Sequence, residues 1–406
     1  MGDIIKAVDI LSHPIWNQVT AYKTKIPAFK KPIHLLRIYL AKQYAKLYPR
    51  DTFVGVTGSV GKTTCVQACA AVLSQKYKTL TTKPNLDPIL NIPTTILKLN
   101  PSIKKVILEM GIEYKGEMDF YLSLVSPKTA IVTKIYHAHS EYLGGINEIL
   151  AEKGKLVESI PEDGVAILNW DDLNTRKLKD KCQGKVFYFG TDPLNCTIWA
   201  ANFKIKDFRT TFELNLGVER IEVHYQLLGE HQIFSALAAA TLGVVEDIPL
   251  TKIKLALESI QPSEHRLQPV VGPNGSIILD DTYNSSPAAV EAAIDVLLQI
   301  PARRRVVVLG EMRELGEYSE MLHREIARRI YKEKLDLVFL GTGEAVIIAE
   351  ELKSLGFWEE RLEENLKNSQ LVVRLLKSLG KGDVCLIKGS RAVRLDEVVK
   401  RIAKQR

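Results

Sequence analysis

Short apolar runs alternate with amphipathic and Ala-rich stretches along most of this chain. Residues 53–56, 106–108, 129–133 and 165–169 are such runs, and residues 146–159 have the spacing of a helix. Because strands buried on both faces read as continuous apolar runs, the alternation predicts a doubly wound α/β fold with a parallel sheet. Residues 203–216 and 219–228 instead alternate apolar and polar side chains, which predicts a small antiparallel sheet.

A second series of apolar runs begins after Pro262, at residues 276–281, 305–310, 337–341 and 383–388. Several of these runs end in Gly, Asp or Lys, and ligands of open α/β sheets gather at the carboxyl ends of the strands. We therefore expect three parts. They are a short, basic, helical segment at residues 1–50, a central α/β domain at residues 51–261 and a Rossmann-like α/β domain at residues 262–406.

Residues 1–50 differ from the rest of the chain in charge. They contain nine Lys or Arg and two Asp, a net charge of +7 that equals the charge of the whole chain. A stripe at helical spacing is formed by Ile33, Leu36, Leu40, Tyr44 and Leu47. We expect this stripe to pack on the next domain, with contact to an anionic membrane surface as the alternative. Nucleic acid is not expected as a partner, since no recognisable nucleic-acid-binding module accompanies the charge.

Composition is that of a globular protein. The 406 residues are 46% apolar and 25% charged, and the length predicts two or three domains. No apolar stretch is long enough to span a bilayer, and the N-terminus lacks a secretory signal pattern. The five Cys include no Cys-x-x-Cys pair, so we expect reduced thiols and a cytoplasmic location, with peripheral membrane contact left open.

The segment from Val54 to Thr64 carries the clearest chemistry. It reads Val-Gly-Val-Thr-Gly-Ser-Val-Gly-Lys-Thr-Thr, between a strand-like run and an Ala-rich helical stretch. Its glycines permit a tight turn with inward-facing N–H groups, Lys62 supplies a charge for phosphate oxygens, and the Thr63 hydroxyl suits Mg²⁺. The sequence therefore predicts a phosphate-binding loop for ATP or GTP. The predicted loop residues are Gly58, Ser59, Val60, Gly61, Lys62, Thr63 and Thr64.

Other polar residues follow the predicted strands. Glu109 ends one strand, where a carboxylate can help to hold the Mg²⁺ of a nucleotide. His137 and His139 follow another strand, and neutral imidazole can ligate a metal, although a histidine on a loop is more often structural. Asp280 and Asp281 end a strand of the second series, where acids can accept hydrogen bonds from ribose hydroxyls.

These segments occur together in the order found in the Mur ligase family, which this chain resembles over about residues 51–400. The matching segments are residues 57–64, 109–111, 116–117, 138–141, 152–154, 229–231, 280–287, 309–316 and 388–391. Residues 280–287 (DDTYNSSP) and 309–316 (LGEMRELG) resemble the branch that adds D-alanyl-D-alanine to a muramoyl-tripeptide. The resemblance thus implies a ligase of peptidoglycan synthesis, and with it a part in cell shape and division.

The resemblance implies a reaction and gives residues a part in it. ATP would phosphorylate a peptide carboxylate to an acyl phosphate, and an amine donor resembling D-alanyl-D-alanine would displace phosphate to form an amide. Lys62 would grip the phosphates, Thr63 and Glu109 would share one Mg²⁺, and His139 would help to hold a second. Lys153 alone reads as a solvated lysine, but it matches a lysine that is carbamylated in the family and then serves as a metal ligand. The expected catalytic residues are Lys62, Lys153 and His139.

The C-terminal domain is also expected to contribute contacts. The nucleotide contacts implied by the resemblance are Arg266, Asp281 and Asn284. The implied substrate contacts are Lys388, Ser390 and Arg391. We expect a monomer whose partners are ATP, a peptide-carboxylate acceptor and the amine donor.

Three positions depart from the family pattern. Gln232 and Ser235 stand where Asn is usual in the segment that contacts adenine, and Lys134 also replaces an Asn. Residues 1–50 are much shorter than the family's UDP-binding domain and are not expected to be that domain. Two alternatives therefore stay open: a ligase with a lipid-linked or other non-UDP acceptor, and a nucleotide-binding regulatory protein without ligase activity.

Overall fold

The structure is a computed structural model that describes residue 13, residues 28–84 and residues 86–403. The prediction of helix for residues 1–50 lies outside the described residues at positions 1–12 and 14–27. In the described part of this segment, a 3₁₀ turn at Ala28–Lys30 leads into helix α1, Lys31–Ala45. Pro32 lies in its first turn, where a missing N–H costs no hydrogen bond.

The first sheet lies in the central part of the chain. Its described strands are β1 Phe53–Thr57, β2 Thr79–Thr81, β3 Lys105–Glu109, β4 Thr129–Val132, β5 Val165–Asn169, β6 Lys185–Gly190, β7 Ile198–Lys206, β8 Arg209–Leu216 and β9 Glu219–Tyr225. Their order in space is β2-β3-β1-β4-β5-β6-β7-β8-β9. The pairs from β2 to β7 are parallel, and β7, β8 and β9 form an antiparallel meander.

Helices cover both faces of this sheet, as its buried strands require. They are α2 Lys62–Leu73, α3 Pro88–Ile96, α4 Glu117–Leu124, α5 Ser140–Leu143, α6 Ile146–Glu158, α7 Leu173–Arg176, α8 Glu230–Val245 and α9 Leu250–Glu258. One core lies under α2, α8 and α9, and the other lies under α1, α3, α4 and α6.

The second sheet belongs to the C-terminal part. Its described strands are β10 Gln268–Val271, β11 Ile277–Asp281, β12 Arg304–Leu309, β13 Leu337–Gly341, β14 Leu362–Leu366 and β15 Asp383–Lys388, in the order β10-β11-β15-β12-β13-β14. All pairs are parallel except β10 with β11. The helices are α10 Pro287–Gln299, α11 Ser319–Lys332, α12 Ala345–Ser354, α13 Asn368–Ser378 and α14 Asp396–Ile402.

The predicted α/β architecture with parallel and antiparallel strands is confirmed. The antiparallel strands continue the large sheet through the β6–β7 pair, and the run at residues 203–216 is divided by a turn at Asp207 and Phe208. The division into residues 51–261 and 262–406 stays a prediction. No helix among the described residues is both long and apolar enough to cross a bilayer.

Helix α1 corrects one expectation. It packs on the central domain through Ile38, Ala41 and Ala45, which are buried. Four of the five residues of the predicted packing stripe are exposed instead: Ile33, Leu36, Leu40 and Leu47. Ala41 and Ala45 let α1 approach α3 closely, so the small side chains rather than the large ones mark the packed face.

Candidate active site

The loop between β1 and α2 has the backbone of an anion-binding turn. Gly58 has φ +146°, and a Cβ built there would lie 2.0 Å from the Thr133 Oγ1, so a side chain does not fit. Gly61, with φ +80°, precedes the first residue of α2. The free N–H groups and the dipole at that helix end favour a phosphate group.

The residues that directly follow β4 hold this loop in place. The Ser59 N–H donates to the Lys134 carbonyl at 2.6 Å, and the Ser59 hydroxyl donates to the Tyr136 carbonyl at 2.7 Å. The Thr133 hydroxyl donates to the Val60 carbonyl at 2.6 Å. The loop is therefore held in shape by protein contacts before any phosphate binds.

Lys62 and Thr63 are the first two residues of α2. The Lys62 ammonium donates to the Gly58 carbonyl at 3.0 Å, so it lies across the loop. Burial lowers the pKa of Lys62, and the nearby Glu109 carboxylate opposes that shift. The Thr63 hydroxyl is 3.0 Å from the Glu109 Oε2, which brings together the two side chains predicted to share one Mg²⁺.

Lys153 lies on α6 and is fully buried. Its Nζ has no hydrogen-bond partner among the described residues. Burial lowers the pKa of Lys153 far below its usual value, and the positive charge of Lys62 lowers it further. The structure thus corrects the composition-based picture of a solvated lysine, and burial near the Lys62 charge favours the uncharged form of its amine.

His139 precedes α5 with a positive φ of 57°. Its Nδ1 lies 2.6 Å from a carboxylate oxygen of Glu314, a residue of the C-terminal part. The Glu141 N–H donates to the Glu314 carbonyl at 3.2 Å, so the two parts of the chain meet here. Since Nδ1 is engaged, Nε2 is the ring nitrogen left for a ligand. His137 stacks on Tyr318 with ring centroids 4.9 Å apart and so belongs to the same contact.

Asp281 and Lys388 form a buried ion pair at the ends of adjacent strands. The Lys388 ammonium donates to the Asp281 Oδ2 at 2.6 Å and to the Asn284 carbonyl at 2.8 Å. Burial lowers the pKa of Lys388, while the Asp281 charge acts against that shift. The Arg266 guanidinium stacks 4.0 Å from the ring centroid of Tyr283. The Asp280 carboxylate is turned away and pairs with His265 at 2.7 Å.

Two cavities meet at the phosphate loop. The first contains the loop, Lys134, His231 and the Asp281–Lys388 pair. The second lies beyond the loop and contains Glu109, Ser390 and Arg391. Residues that line both are Lys62, Thr63, His139, Arg266, Asn284, Arg313 and Glu314. The structure therefore brings most of the predicted site residues together, but Lys153 lines neither cavity, and Lys388 lies in the first cavity and not with Ser390 and Arg391.

The donor atoms fit magnesium in part. Hydroxyl and carboxylate oxygens at Thr63 and Glu109 are of the kind that Mg²⁺ prefers, and phosphate oxygens and water normally complete its shell. Among the described residues, no three His, Cys, Asp or Glu side chains converge as a metal site.

The three departures from the family pattern lie around the first cavity. The Gln232 Nε2 is 3.1 Å from the His231 Nε2, and the Ser235 hydroxyl donates to the Gly61 carbonyl at 3.5 Å. Burial lowers the pKa of His231 to about 4, so its imidazole is neutral at pH 7. The Lys134 Nζ lies 5.9 Å from the centroid of the Tyr136 ring.

Several acids of the second cavity were not identified as site residues from the sequence. Glu113 and Glu117 line it together with Glu314. Burial raises the pKa of Glu113 to about 7; the positive charge of His139 opposes that shift, while the charges of Glu314 and Asp87 add to it. The segments that contain Glu117 and Glu314 match the family pattern, and that match is the sequence signal that points to them. Nothing in the sequence distinguished Glu113 from a surface acid.

Comparison with known proteins agrees with this geometry. The model of the Mur ligase middle domain matches residues 56–243, and the model described as Mur ligase, glutamate ligase domain matches residues 265–391. The UDP-N-acetylmuramoyl-tripeptide–D-alanyl-D-alanine ligase of Escherichia coli strain K12 is 32% identical over 352 residues, which are 86% of this chain and 76% of that protein.

Solved structures give the same result for the fold. The MurF crystal structure from Acinetobacter baumannii has a TM-score of 0.82 and 25% identity, over 90% of this chain and 80% of that one. MurF ligase from Thermotoga maritima, solved in complex with ADP, has a TM-score of 0.81 and 24% identity, over 94% and 86% of the two chains.

Proposed function

The chain belongs to the Mur ligase family, and from this we propose that it is an ATP-dependent ligase that joins D-alanyl-D-alanine to a muramoyl-tripeptide in peptidoglycan synthesis. The observation that carries the proposal is that the first cavity, which contains the phosphate loop, shares Lys62 and Thr63 with the second cavity. A γ-phosphoryl group held by the loop would therefore face a space where another substrate can lie.

The residues of the second cavity suit a carboxylate acceptor. Arg266, Arg313 and Arg391 line it and offer charge to a carboxylate and to the phosphate that forms. The γ-phosphoryl group would pass to a carboxylate oxygen and leave ADP. The amine nitrogen would then attack the carbonyl carbon, the bond from that carbon to the phosphate oxygen would break, and the proton on nitrogen would pass to water.

We also propose Mg²⁺ as the metal, with Thr63 and Glu109 at one ion and His139 and a carbamylated Lys153 at a second. When bound, the ions would neutralise charge on the transferring phosphoryl group. The orphaned amine of Lys153 supports the carbamate, because burial favours the uncharged form of an amine, which is the form that reacts with carbon dioxide. Glu314 would hold the His139 ring in place through Nδ1.

We propose that Arg266, Asp281 and Asn284 bind the nucleotide from the C-terminal domain. Lys388 would act by holding Asp281 in place, because the two are paired in the same cavity. The substrate contacts would then fall to Ser390 and Arg391. A monomer in the cytoplasm is the proposed state of the protein.

The test is product formation by the purified full chain. ATP, UDP-muramoyl-tripeptide and D-alanyl-D-alanine are supplied, and both phosphate release and the mass of the amide product are measured. We expect phosphate only when acceptor and donor are both present. Lys62→Ala is expected to lose at least about a hundredfold in rate, whereas Lys78→Ala, an exposed lysine beyond α2, serves as the matched control. Phosphate release without any amide would overturn the ligase proposal.

A second candidate acceptor is the same peptide carried on a lipid. The exposed apolar face of α1 favours it, since that face suits a membrane surface. Product from the lipid-linked peptide and none from the UDP-linked one would select this acceptor and leave the ligase chemistry unchanged.

A further inference from the structure

Helix α1 has apolar residues on two opposite faces. The inner face packs on the central domain, where the Tyr44 hydroxyl also donates to the Leu99 carbonyl at 2.9 Å. The opposite side, which we name the outer face, consists of Phe29, Ile33, Leu36, Leu40 and Leu47. Spacings of three, four and seven residues place these side chains along one line of the helix and its flanking turns. The helix therefore has an apolar surface that the packing of the described residues leaves exposed.

The outer face is strongly exposed. The accessible fractions are 73% for Phe29, 56% for Ile33, 58% for Leu36, 46% for Leu40 and 74% for Leu47. Single exposed apolar residues are normal on protein surfaces, but a line of five along one helix and its flanking turns marks a contact surface.

Basic residues flank this face. Arg37 and Lys46 lie on its two sides, and Lys30 precedes the helix beside Phe29. The sequence has no Asp or Glu from residue 10 to residue 50. A second copy of the chain docked through the same face would bring like charges together. The charge instead complements an anionic surface, and the apolar line suits the boundary between headgroups and acyl chains.

We propose that the outer face of α1 binds the surface of an anionic membrane. Ile33, Leu36 and Leu40 enter the headgroup boundary, and Arg37 and Lys46 contact anionic headgroups. The helix lies in the plane of the surface and does not cross it. This binding goes beyond the proposed ligase function and does not depend on it.

The position of α1 connects the proposed membrane contact to the second cavity. The helix packs on α3, and Asp87 and Pro88 at the start of α3 line the second cavity. Helix α3 has nine residues, so it is about 14 Å long. Membrane contact through α1 would thus act on an element that packs directly against one wall of the second cavity.

The test is vesicle flotation of the purified full chain. Phosphatidylcholine vesicles are compared with phosphatidylcholine–phosphatidylglycerol vesicles, at about 0.1 M and about 1 M salt. We expect binding to the anionic vesicles only, weakened at the higher salt. The triple variant I33S/L36S/L40S should bind at least about tenfold more weakly. Its matched control is L194S/V218S/L255S, which removes apolar residues exposed to 91%, 96% and 62% on other elements.

A second pair of variants tests the charge. R37Q/K46Q should reduce binding about tenfold or more and flatten its salt dependence. The matched control is K252Q/K381Q, which changes two exposed lysines elsewhere in the chain. All variants alter exposed or part-exposed side chains, and unchanged circular dichroism and ATP binding would confirm that they fold.

Three results would overturn the proposal. The first is absence of binding to either vesicle type. The second is a dimer in sedimentation that the triple variant dissociates, which would make the outer face an interface between copies. The third is a large loss of thermal stability in the triple variant without vesicles, which would show that another segment of the chain covers the face. Ligase activity of the parent chain towards the UDP-linked peptide is measured separately without vesicles, so failure of this proposal is separable from failure of the proposed function.

Discussion

At the scale of single residues, the buried amine of Lys153 is the group whose state most affects the chemistry. It has no hydrogen-bond partner among the described residues, and its pKa is held well below the usual range by burial and then by Lys62. Leaving a buried polar group unsatisfied costs on the order of 1–3 kcal/mol. The proposed carbamate would replace this unpartnered amine with a group whose oxygens can bind a metal ion.

Replacement of Lys153 should therefore separate stability from activity. Lys153→Met is expected to raise the free energy of unfolding by about 1 kcal/mol or more relative to the parent protein kept free of bicarbonate, because it removes the unsatisfied amine, while ligase activity is lost. Lys153→Ala should also lose activity and regain part of it when a small carboxylate such as formate is added. Denaturant unfolding and phosphate release measure the two effects, with Lys98→Met as an exposed control. Full activity of Lys153→Ala would refute the carbamate.

Glu113 gives a prediction about pH. Burial raises the pKa of its carboxyl from 4.5 to about 7, so the folded protein holds this proton more tightly than the unfolded chain. The stability that this tighter proton binding contributes is fully present below pH 4.5 and is lost as the pH rises to about 7.

Glu113→Gln should accordingly change the free energy of unfolding more favourably at pH 8 than at pH 4, by up to about 3 kcal/mol. Urea unfolding at the two pH values measures the difference. Glu162→Gln, on an exposed loop, is the control. An equal effect of Glu113→Gln at both pH values would mean that this carboxyl is not perturbed in the folded state.

At the scale of elements, the phosphate loop was predictable because strand, turn and helix are consecutive in the chain. The required φ at Gly58 and the placement of Lys62 follow from neighbours in sequence. The surroundings of His139 were not predictable, because its partner Glu314 lies 175 residues away. Lys153 was misjudged from composition for the same reason, since its burial depends on segments that the local pattern does not contain.

The start of strand β15 shows how charges support an element. Asp383 is fully buried, and the Arg304 guanidinium contacts both of its carboxylate oxygens, at 3.2 Å and 2.6 Å. Burial acts to raise the pKa of Asp383, but Arg304, Arg303 and the Gly380 N–H outweigh it and lower the pKa to about 2. Asp383 and Arg304 are also register partners of neighbouring strands.

Asp383→Asn should destabilise the protein by about 2 kcal/mol at pH 7. Because the folded-state pKa is lowered, this stability is present above pH 3.8 and is lost as the pH falls toward 2. The free energy of unfolding should therefore differ less between pH 7 and pH 2.5 for the variant than for the parent protein. Asp247→Asn, at an exposed turn, provides the comparison. The ion pair would be shown to contribute nothing if both variants lost the same amount.

At the scale of the whole molecule, the contact between His139 and Glu314 joins the central and C-terminal parts beside the phosphate loop. It is supported by the Glu141 N–H and by the stacking of His137 on Tyr318. Closure of the two parts around the cavities would exclude water, and an acyl phosphate needs that protection in order to react with an amine before it is hydrolysed.

Glu314→Gln should weaken this contact by about 1–2 kcal/mol, because it removes a charge-assisted hydrogen bond. We expect a rate of amide formation lower by about tenfold and a larger share of phosphate released by hydrolysis. Glu317→Gln, three residues along and exposed, should leave both unchanged. The ratio of amide to phosphate is measured. An unchanged ratio would show that the His139–Glu314 pair does not protect the acyl phosphate from hydrolysis.

The most direct test of the central claim follows an oxygen atom. The acceptor peptide is prepared with ¹⁸O in its reacting carboxylate and incubated with the protein, ATP and D-alanyl-D-alanine. If the phosphate-binding loop delivers a phosphoryl group to that carboxylate, each amide bond formed transfers one ¹⁸O atom to inorganic phosphate, which mass spectrometry detects. Amide formation with unlabelled phosphate would contradict the acyl phosphate, and label-free phosphate without amide would contradict the ligase itself.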